Sequence, residues 1–210
     1  MRKKGKAMSL FPIFLKLEDR PCLVVGGGTI GQEKIRNLIT AGARVRVVAP
    51  HATATVGDWA HAGVITWEQR NFEASDLDGV VLVVAATNST AVNEVIFREA
   101  HRRNILCNAV DDPERCDFYY PAVVRRGNLQ VAISTAGHSP ALAQRLRREL
   151  EAQFGSEYAG WLEQLGEIRR QLFASDIDPE DRRHLLHELA SRSAFESATG
   201  TSLRGKEEIS

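Results

Sequence analysis

Apolar runs of strand length alternate with amphipathic stretches through the first half of the chain. The runs are CLVVGG (22–27), RVRVVAP (44–50), VITWEQ (64–69), VVLVVAAT (80–87) and ILCNAV (105–110). Several are apolar at consecutive positions, as strands of a parallel sheet covered on both faces must be. Between them, Gln32–Ala41 places Ile35, Leu38 and Ile39 on one helical face, with Gly42 placed to stop the helix. Residues 89–103 open with Ser89 as N-cap and carry Val92, Val95, Ile96 and Ala100 at helical spacing. Strand and helix in alternation predict an α/β fold, a doubly wound parallel sheet with right-handed crossovers.

After Val110 the rhythm changes. FYYPAVVRRGNLQVAIST (118–135) predicts two strands joined at Gly127-Asn128, a hairpin connection rather than a crossover helix. GHSPALAQRLRRELE then starts a helix with Ser139 as N-cap and Pro140 at its first position. From Gln153 the pattern is helical throughout. Phe154, Tyr158, Trp161, Leu162, Leu165, Ile168 and Leu172 form one stripe, and Asp178-Pro179 opens a further helix to about Ser191. No internal repeat is visible. The pattern divides into a nucleotide-binding domain over 1–113, a dimerisation region over 114–150 whose Phe118, Tyr119, Val123, Val124 and Val131 are more apolar surface than a hairpin leaves in water, a helical domain over 151–198, and a polar, disordered tail over 199–210.

Composition narrows the class without naming a function. The chain has 210 residues, enough for one large or two modest domains, and is 43% hydrophobic and 26% charged, as soluble globular proteins are. Lys+Arg and Asp+Glu number 27 each, so net charge argues against a nucleic-acid or membrane-surface partner, and only local basic patches can favour an anion. Cys22, Cys107 and Cys116 show no CxxC spacing, which reads as free thiols in a reducing cytoplasm. The basic start MRKKGKAM precedes an apolar segment broken by Pro12 and Lys16, neither a signal-peptide core nor a membrane span. A cytoplasmic protein with a loose, solvated extension at residues 1–8 is expected.

Chemistry enters at CLVVGGGTIGQEK (22–34), which fits G-x-G-x-x-G as Gly26, Gly28 and Gly31. The spacing alone is weak. Here it follows an apolar strand and opens an amphipathic helix in the first βαβ unit, the setting a Rossmann-type dinucleotide fold requires. The first glycine permits the turn, the second lets backbone amides approach a pyrophosphate, and the third lets helix pack on strand. A purely structural tight turn is the competing reading. No acidic residue follows at the end of the second strand, where Pro50 and His51 stand, and Arg44 and Arg46 lie earlier in that strand. The residues therefore leave NAD and NADP both open.

Ligands of such sheets bind beyond the carboxyl ends of the strands. The fifth run ends CNAVDDPE, placing Asn108, Asp111 and Asp112 at that rim. Asp111 leaves the strand directly and is the candidate general base beside a hydride acceptor, whereas Asp112 precedes proline and reads as a turn residue. A polar turn with no catalytic role accounts for DDP equally simply. The second polar cluster, STAGHSP (134–140), puts hydroxyls, His138 and backbone amides at a helix N-terminus, a place for an anion. Arg125, Arg126 and Arg145 are close in sequence and make a polycarboxylate ligand plausible, against ordinary helix punctuation as the alternative. His184 and His187 lie one helical turn apart, but no third ligand accompanies them, so an exposed helix face is expected and no metal site.

FPIFLKLEDRPCLVVGGGTIGQEKIRNLITAGARVRVVAP and NILCNAVDDPERCDFYYPAVVRRGNLQVAISTAGHSPALAQRLRRELE together resemble the precorrin-2 dehydrogenase family, the N-terminal module of siroheme synthase, from about Leu10 to about Glu151. The resemblance implies NAD-dependent oxidation of precorrin-2, a tetrapyrrole, to sirohydrochlorin, with ferrous iron insertion as a further activity of some members. It implies a homodimer built through exchanged strands, followed by a small helical domain. It places cofactor contacts on Thr29, Ile30, Pro50 and His51, the functional aspartate on Asp111 and the loop hydroxyl on Thr135; Asn108 at the rim and His138 and Ser139 in the loop are the further substrate-binding candidates from their own positions. Thr135 stands where relatives often carry serine. The methyltransferase module of trifunctional siroheme synthases has no counterpart here, so methylation is not expected. A dinucleotide-sensing regulatory domain is the alternative from another class, and it would need neither the rim carboxylate nor the polar loop.

Overall fold

The computed structural model describes residues 10–200, so the expected extension at 1–8 and the polar tail from residue 201 lie outside the described residues. Those residues form two compact units that meet in sequence at Tyr120 and Pro121. The first unit runs β1 (Pro21–Gly27), α1 (Thr29–Thr40), β2 (Arg44–Ala52), α2 (Ala54–His61), β3 (Thr66–Glu68), β4 (Leu82–Ala85), α3 (Thr90–Arg102) and β5 (Leu106–Ala109). All four strand pairings are parallel, in the order β3-β2-β1-β4-β5. The chain moves outward from β1 to β3, then returns to β1's other side for β4. That reversal leaves a crevice at the carboxyl end of β1.

Consecutive residues of the central strands go to opposite faces, and both faces are buried. Cys22 and Val24 pack with Ile35 and Leu38 of α1 and Val56 of α2. Leu23 and Val25 pack with Ile96 and Ala100 of α3 on the other side, together with Val83 and Cys107. The continuous apolar runs in the sequence follow from this double burial. Burial also pushes the thiol of Cys22 up to about 11 and that of Cys107 up to about 12, the latter helped by the charge of Asp117. Both thiols therefore stay protonated at neutral pH.

The predicted strands are all present, each trimmed or extended at its ends. α1 starts at Thr29 rather than Gln32, because Gly28 takes an extended conformation as N-cap and the helix begins at once. α2 carries no long apolar stripe and was not predicted; Thr53 caps it by accepting from the Val56 amide at 3.4 Å.

The second unit holds the antiparallel hairpin β6 (Ala122–Arg126) and β7 (Leu129–Ile133), then α4 (Pro140–Gln153), α5 (Glu157–Ala174), α6 (Pro179–Leu189) and α7 (Arg192–Thr199). Gly127 takes a left-handed φ of 55° and makes the predicted two-residue turn with Asn128. The two helices expected after Gln153 are present as α5 and α6, and α7 is an addition to them. Phe154 closes α4, with Gly155 and Ser156 lying between α4 and α5, and Ser191 caps α7 instead of ending α6. The aromatic stripe has a partner that periodicity did not reveal. Phe195 of α7 is buried, stacks on Tyr158 at 4.4 Å between ring centres, and meets Trp161 edge-on at 5.0 Å. Among the described residues, no helix is long and apolar enough to cross a membrane.

Candidate active site

The three motif glycines at the end of β1 serve different ends. A side chain on Gly26 would sit 2.2 Å from the Ala86 carbonyl oxygen, and its φ of 112° already excludes most residues. A side chain on Gly31 would lie 2.2 Å from the carbonyl oxygen of Gly26, so Gly31 sets how closely α1 approaches β1. Gly28 is different. Its φ of −72° and ψ of −176° suit any residue, and nothing lies within 4 Å of where its Cβ would be. Folding does not require a glycine there, yet the space beside it is open.

That space faces the start of α1, which Gly28 leaves without a side-chain cap and whose first turn carries no acidic residue. The first intrahelical bond is Gln32 N–H to the Gly28 carbonyl at 2.8 Å, so the amides of Thr29, Ile30 and Gly31 have no partner within the helix. Unspent donors and the positive end of the helix dipole together favour an anion. The cradle that a Gly28 side chain would fill fits a dinucleotide pyrophosphate.

The end of β2 is drawn to the same turn. Gly27 pairs with Ala52, and the Thr53 amide donates to the Gly27 carbonyl at 2.9 Å, setting the exposed Pro50 and His51 beside the glycines. Arg46 is not available to a ligand. Its guanidinium donates to Glu68 at 3.1 Å and to the buried Asp76 at 3.0 Å, and Arg70 joins the same pair of carboxylates. Burial by itself would raise the Asp76 pKa, but hydrogen bonds from Arg70 and the Glu73 amide, with the nearby arginine charges, hold it below the usual value.

A third wall was not foreseen from the sequence. Thr87, just after β4, donates to Asn93 Oδ1 at 2.7 Å, and Asn93 returns a bond to the Thr87 carbonyl at 3.1 Å. This exchange fixes the loop that presses Ala86 against Gly26. Its only trace in the sequence was ATNST, a polar break after an apolar run.

At the β5 end of the rim, the two aspartates separate by environment. Asp112 pairs with Arg115, which also reaches Glu94 at 3.3 Å, so it is a structural turn residue. Asp111 is exposed, stands at a left-handed φ of 61°, and has no ion pair among the described residues. Aspartate tolerates that conformation better than most residues, and such conformers cluster at functional sites. With β4 between them, β5 and β1 lie about 10 Å apart, a distance a dinucleotide spans. Asn108 is placed differently from expectation. It is buried, and its amide donates to the Phe118 carbonyl at 2.8 Å and to Cys116 Sγ at 3.3 Å, so it anchors the segment after the rim.

In the second unit, Thr135 to His138 form a tight turn in which the His138 amide donates to the Thr135 carbonyl at 2.9 Å. Ala136 and Gly137 both take left-handed φ, 49° and 81°, an arrangement that costs alanine about 1 kcal/mol. Thr135 Oγ1 accepts from the Ser139 amide at 3.2 Å and Ser139 Oγ from the Leu142 amide at 3.2 Å, which leaves each hydroxyl its proton to donate. His138 is exposed. Two of the arginines near this loop in sequence have other work. Arg126 donates to the carbonyls of Phe154 and Glu151 at 2.7 and 2.9 Å, capping α4, and Arg145 pairs with Glu149 at 3.2 Å.

A five-stranded parallel sheet with an open glycine turn at its point of reversal defines the first unit as a dinucleotide-binding domain. The chain belongs to the putative NAD(P)-binding family whose model matches residues 13–122. Residues 126–153 match a second family, the sirohaem biosynthesis protein central domain. A siroheme synthase of Methylococcus capsulatus is 40% identical over 177 residues, covering 84% of this chain and 37% of that protein. A siroheme synthase of Aeromonas hydrophila is 38% identical over 204 residues, covering 96% and 44%. The chain thus spans about two fifths of the length of these curated relatives. Among solved structures it resembles one titled SirC, precorrin-2 dehydrogenase, with a TM-score of 0.76 and 29% identity over 89% of this chain and 92% of that one.

Proposed function

We propose that this chain oxidises precorrin-2 to sirohydrochlorin with NAD as hydride acceptor. The observation that carries the reading is the open cradle at Gly28 in a chain that matches a precorrin-2 dehydrogenase along nearly its whole length. The siroheme synthase relatives and the sirohaem central-domain match support the substrate class. NAD is favoured over its 2′-phosphorylated form because Arg46 is held by Glu68 and Asp76, and Arg44 starts β2 at the end away from the glycines.

When bound, NAD supplies the two-electron acceptor. The chain's residues do the rest. Backbone amides of Thr29, Ile30 and Gly31 take the pyrophosphate, while Pro50 and His51 line the adenosine side and Asp111 the opposite side. Oxidation removes a hydride and a proton from the tetrapyrrole, giving sirohydrochlorin, NADH and one proton. Asp111, exposed and without an ion pair among the described residues, accepts that proton. Within the second unit, the hydroxyls of Thr135 and Ser139 and the exposed His138 are donors suited to carboxylates. The same carboxylate at Asp111 suits removal of pyrrolic protons if ferrous iron is inserted as a second substrate. Among the described residues there is no cluster of three or more metal-ligating side chains. A pure sensor would have no use for a free carboxylate at this rim.

The test is Asp111→Asn, nearly isosteric and without basicity. NAD affinity measured by calorimetry is expected to stay within about twofold while anaerobic turnover of precorrin-2 falls by about 10²–10⁴-fold. Unchanged turnover would remove Asp111 from the mechanism. Loss of iron insertion alone would confine it to that step, with water taking the proton during dehydrogenation.

A further inference from the structure

Between α5 and α6 lies a surface cavity of about 440 Å³, outside both segments matched by family models. Its lining includes Arg169, Arg182, Arg183 and His187, and no carboxylate. Phe173 is 53% exposed, which is unusual for a large ring on a helix with an apolar neighbour in Leu186. The guanidinium carbons of Arg169 and Arg182 lie 4.7 and 4.4 Å from the centre of that one ring. Neither arginine has an ion pair among the described residues, although many arginines of this chain do, Arg170 and Arg183 beside them included. Stacking on an aromatic face fixes the plane of a guanidinium and leaves its N–H edge for a carboxylate. Two like charges gathered on one ring without a counter-ion repel each other, and a bound anion would relieve that repulsion.

We propose that this cavity is a second ligand site, taking a small aromatic polycarboxylate. The carboxylates meet the edges of Arg169 and Arg182, with His187 as a further donor. The planar body lies against Leu186 and the exposed edge of Phe173. The volume is that of an ordinary small-molecule pocket. This site does not rest on the dinucleotide reading, and its test can fail or succeed separately.

The experiment is calorimetry on the full chain with benzene-1,3,5-tricarboxylate, repeated in the presence of saturating NAD. One molecule is expected to bind per chain, with NAD leaving the affinity unchanged. Arg169→Gln with Arg182→Gln is expected to weaken binding at least tenfold while NAD affinity and helical content stay as they were. Arg182→Lys, which keeps the charge but not the fork, should lose part of the affinity and serves if the double variant fails to fold. Inorganic pyrophosphate should bind distinctly more weakly. The proposal is overturned if the tricarboxylate does not bind, if NAD displaces it, or if the arginine variants bind it as the wild type does. Equal affinity for pyrophosphate would overturn the aromatic part of the assignment.

Discussion

Gly28 and Gly31 are three positions apart in one motif, yet they should respond to substitution in opposite ways. Gly31→Val would drive a side chain into the Gly26 carbonyl, 2.2 Å from its Cβ, and is expected to give little folded protein. Gly28→Val meets open space at an ordinary backbone conformation, so its melting temperature should stay within about 2 °C of the wild type while NAD binding weakens by about 100-fold, roughly 3 kcal/mol. Thermal melts alongside calorimetry separate the two. Normal NAD binding by Gly28→Val would show that the open turn is not the pyrophosphate site. The motif spacing assigns Gly28 to the pyrophosphate and Gly31 to helix packing, and the fold supplies what spacing cannot, the Gly26 carbonyl 2.2 Å from a Gly31 side chain and the open space at Gly28. Asp111 and Asp112 are likewise told apart in the sequence, Asp112 by the proline that follows it. Adjacent in sequence, they part because Arg115 takes Asp112 and leaves Asp111 in solvent.

At the scale of elements, the edge beyond β2 is tied together by charge. Asp76 is buried under Arg46 and Arg70, and its pKa is held down in the folded state. A lowered carboxylate pKa contributes stability that is present above the unfolded value near about 4 and is lost as pH falls through the lower folded value. Chemical denaturation should therefore show Asp76→Asn clearly less stable than wild type at pH 7, with the gap closing as pH drops below about 4. A gap that persists unchanged into acid would mean that the network does not depend on the Asp76 charge. The alternation of strand and helix, the hairpin at Gly127-Asn128 and the caps at Ser89 and Ser139 were all legible, since each rests on local chemistry. α2 and the partner of the aromatic stripe were not. α2 is short and contains Gly57, and Phe195 acquires its meaning only when α7 packs on α5.

On the scale of the whole molecule, the chain carries apolar surface that two compact units leave uncovered. Val124 is buried within its own unit, and Phe118 and Tyr120 pack on the core of the first, so the hairpin region offers less than its sequence suggests. Phe11, Ile13, Phe14 and Leu15 are exposed, from 48% to 85%. We propose that a second copy covers part of this surface. Light scattering at micromolar concentration should return the mass of two chains, and Phe11→Ser with Phe14→Ser should shift it toward one. A single-chain mass for the wild type would exclude the homodimer. The oxidation itself is measured most directly by anaerobic incubation of the purified chain with precorrin-2 and NAD, followed by absorbance. One NADH is expected for each tetrapyrrole converted to the sirohydrochlorin spectrum, and Gly28→Val should form it about 100-fold more slowly at an NAD concentration below the wild-type Kd. NAD binding with no NADH formed, over many equivalents of precorrin-2, would contradict the account and leave a dinucleotide sensor.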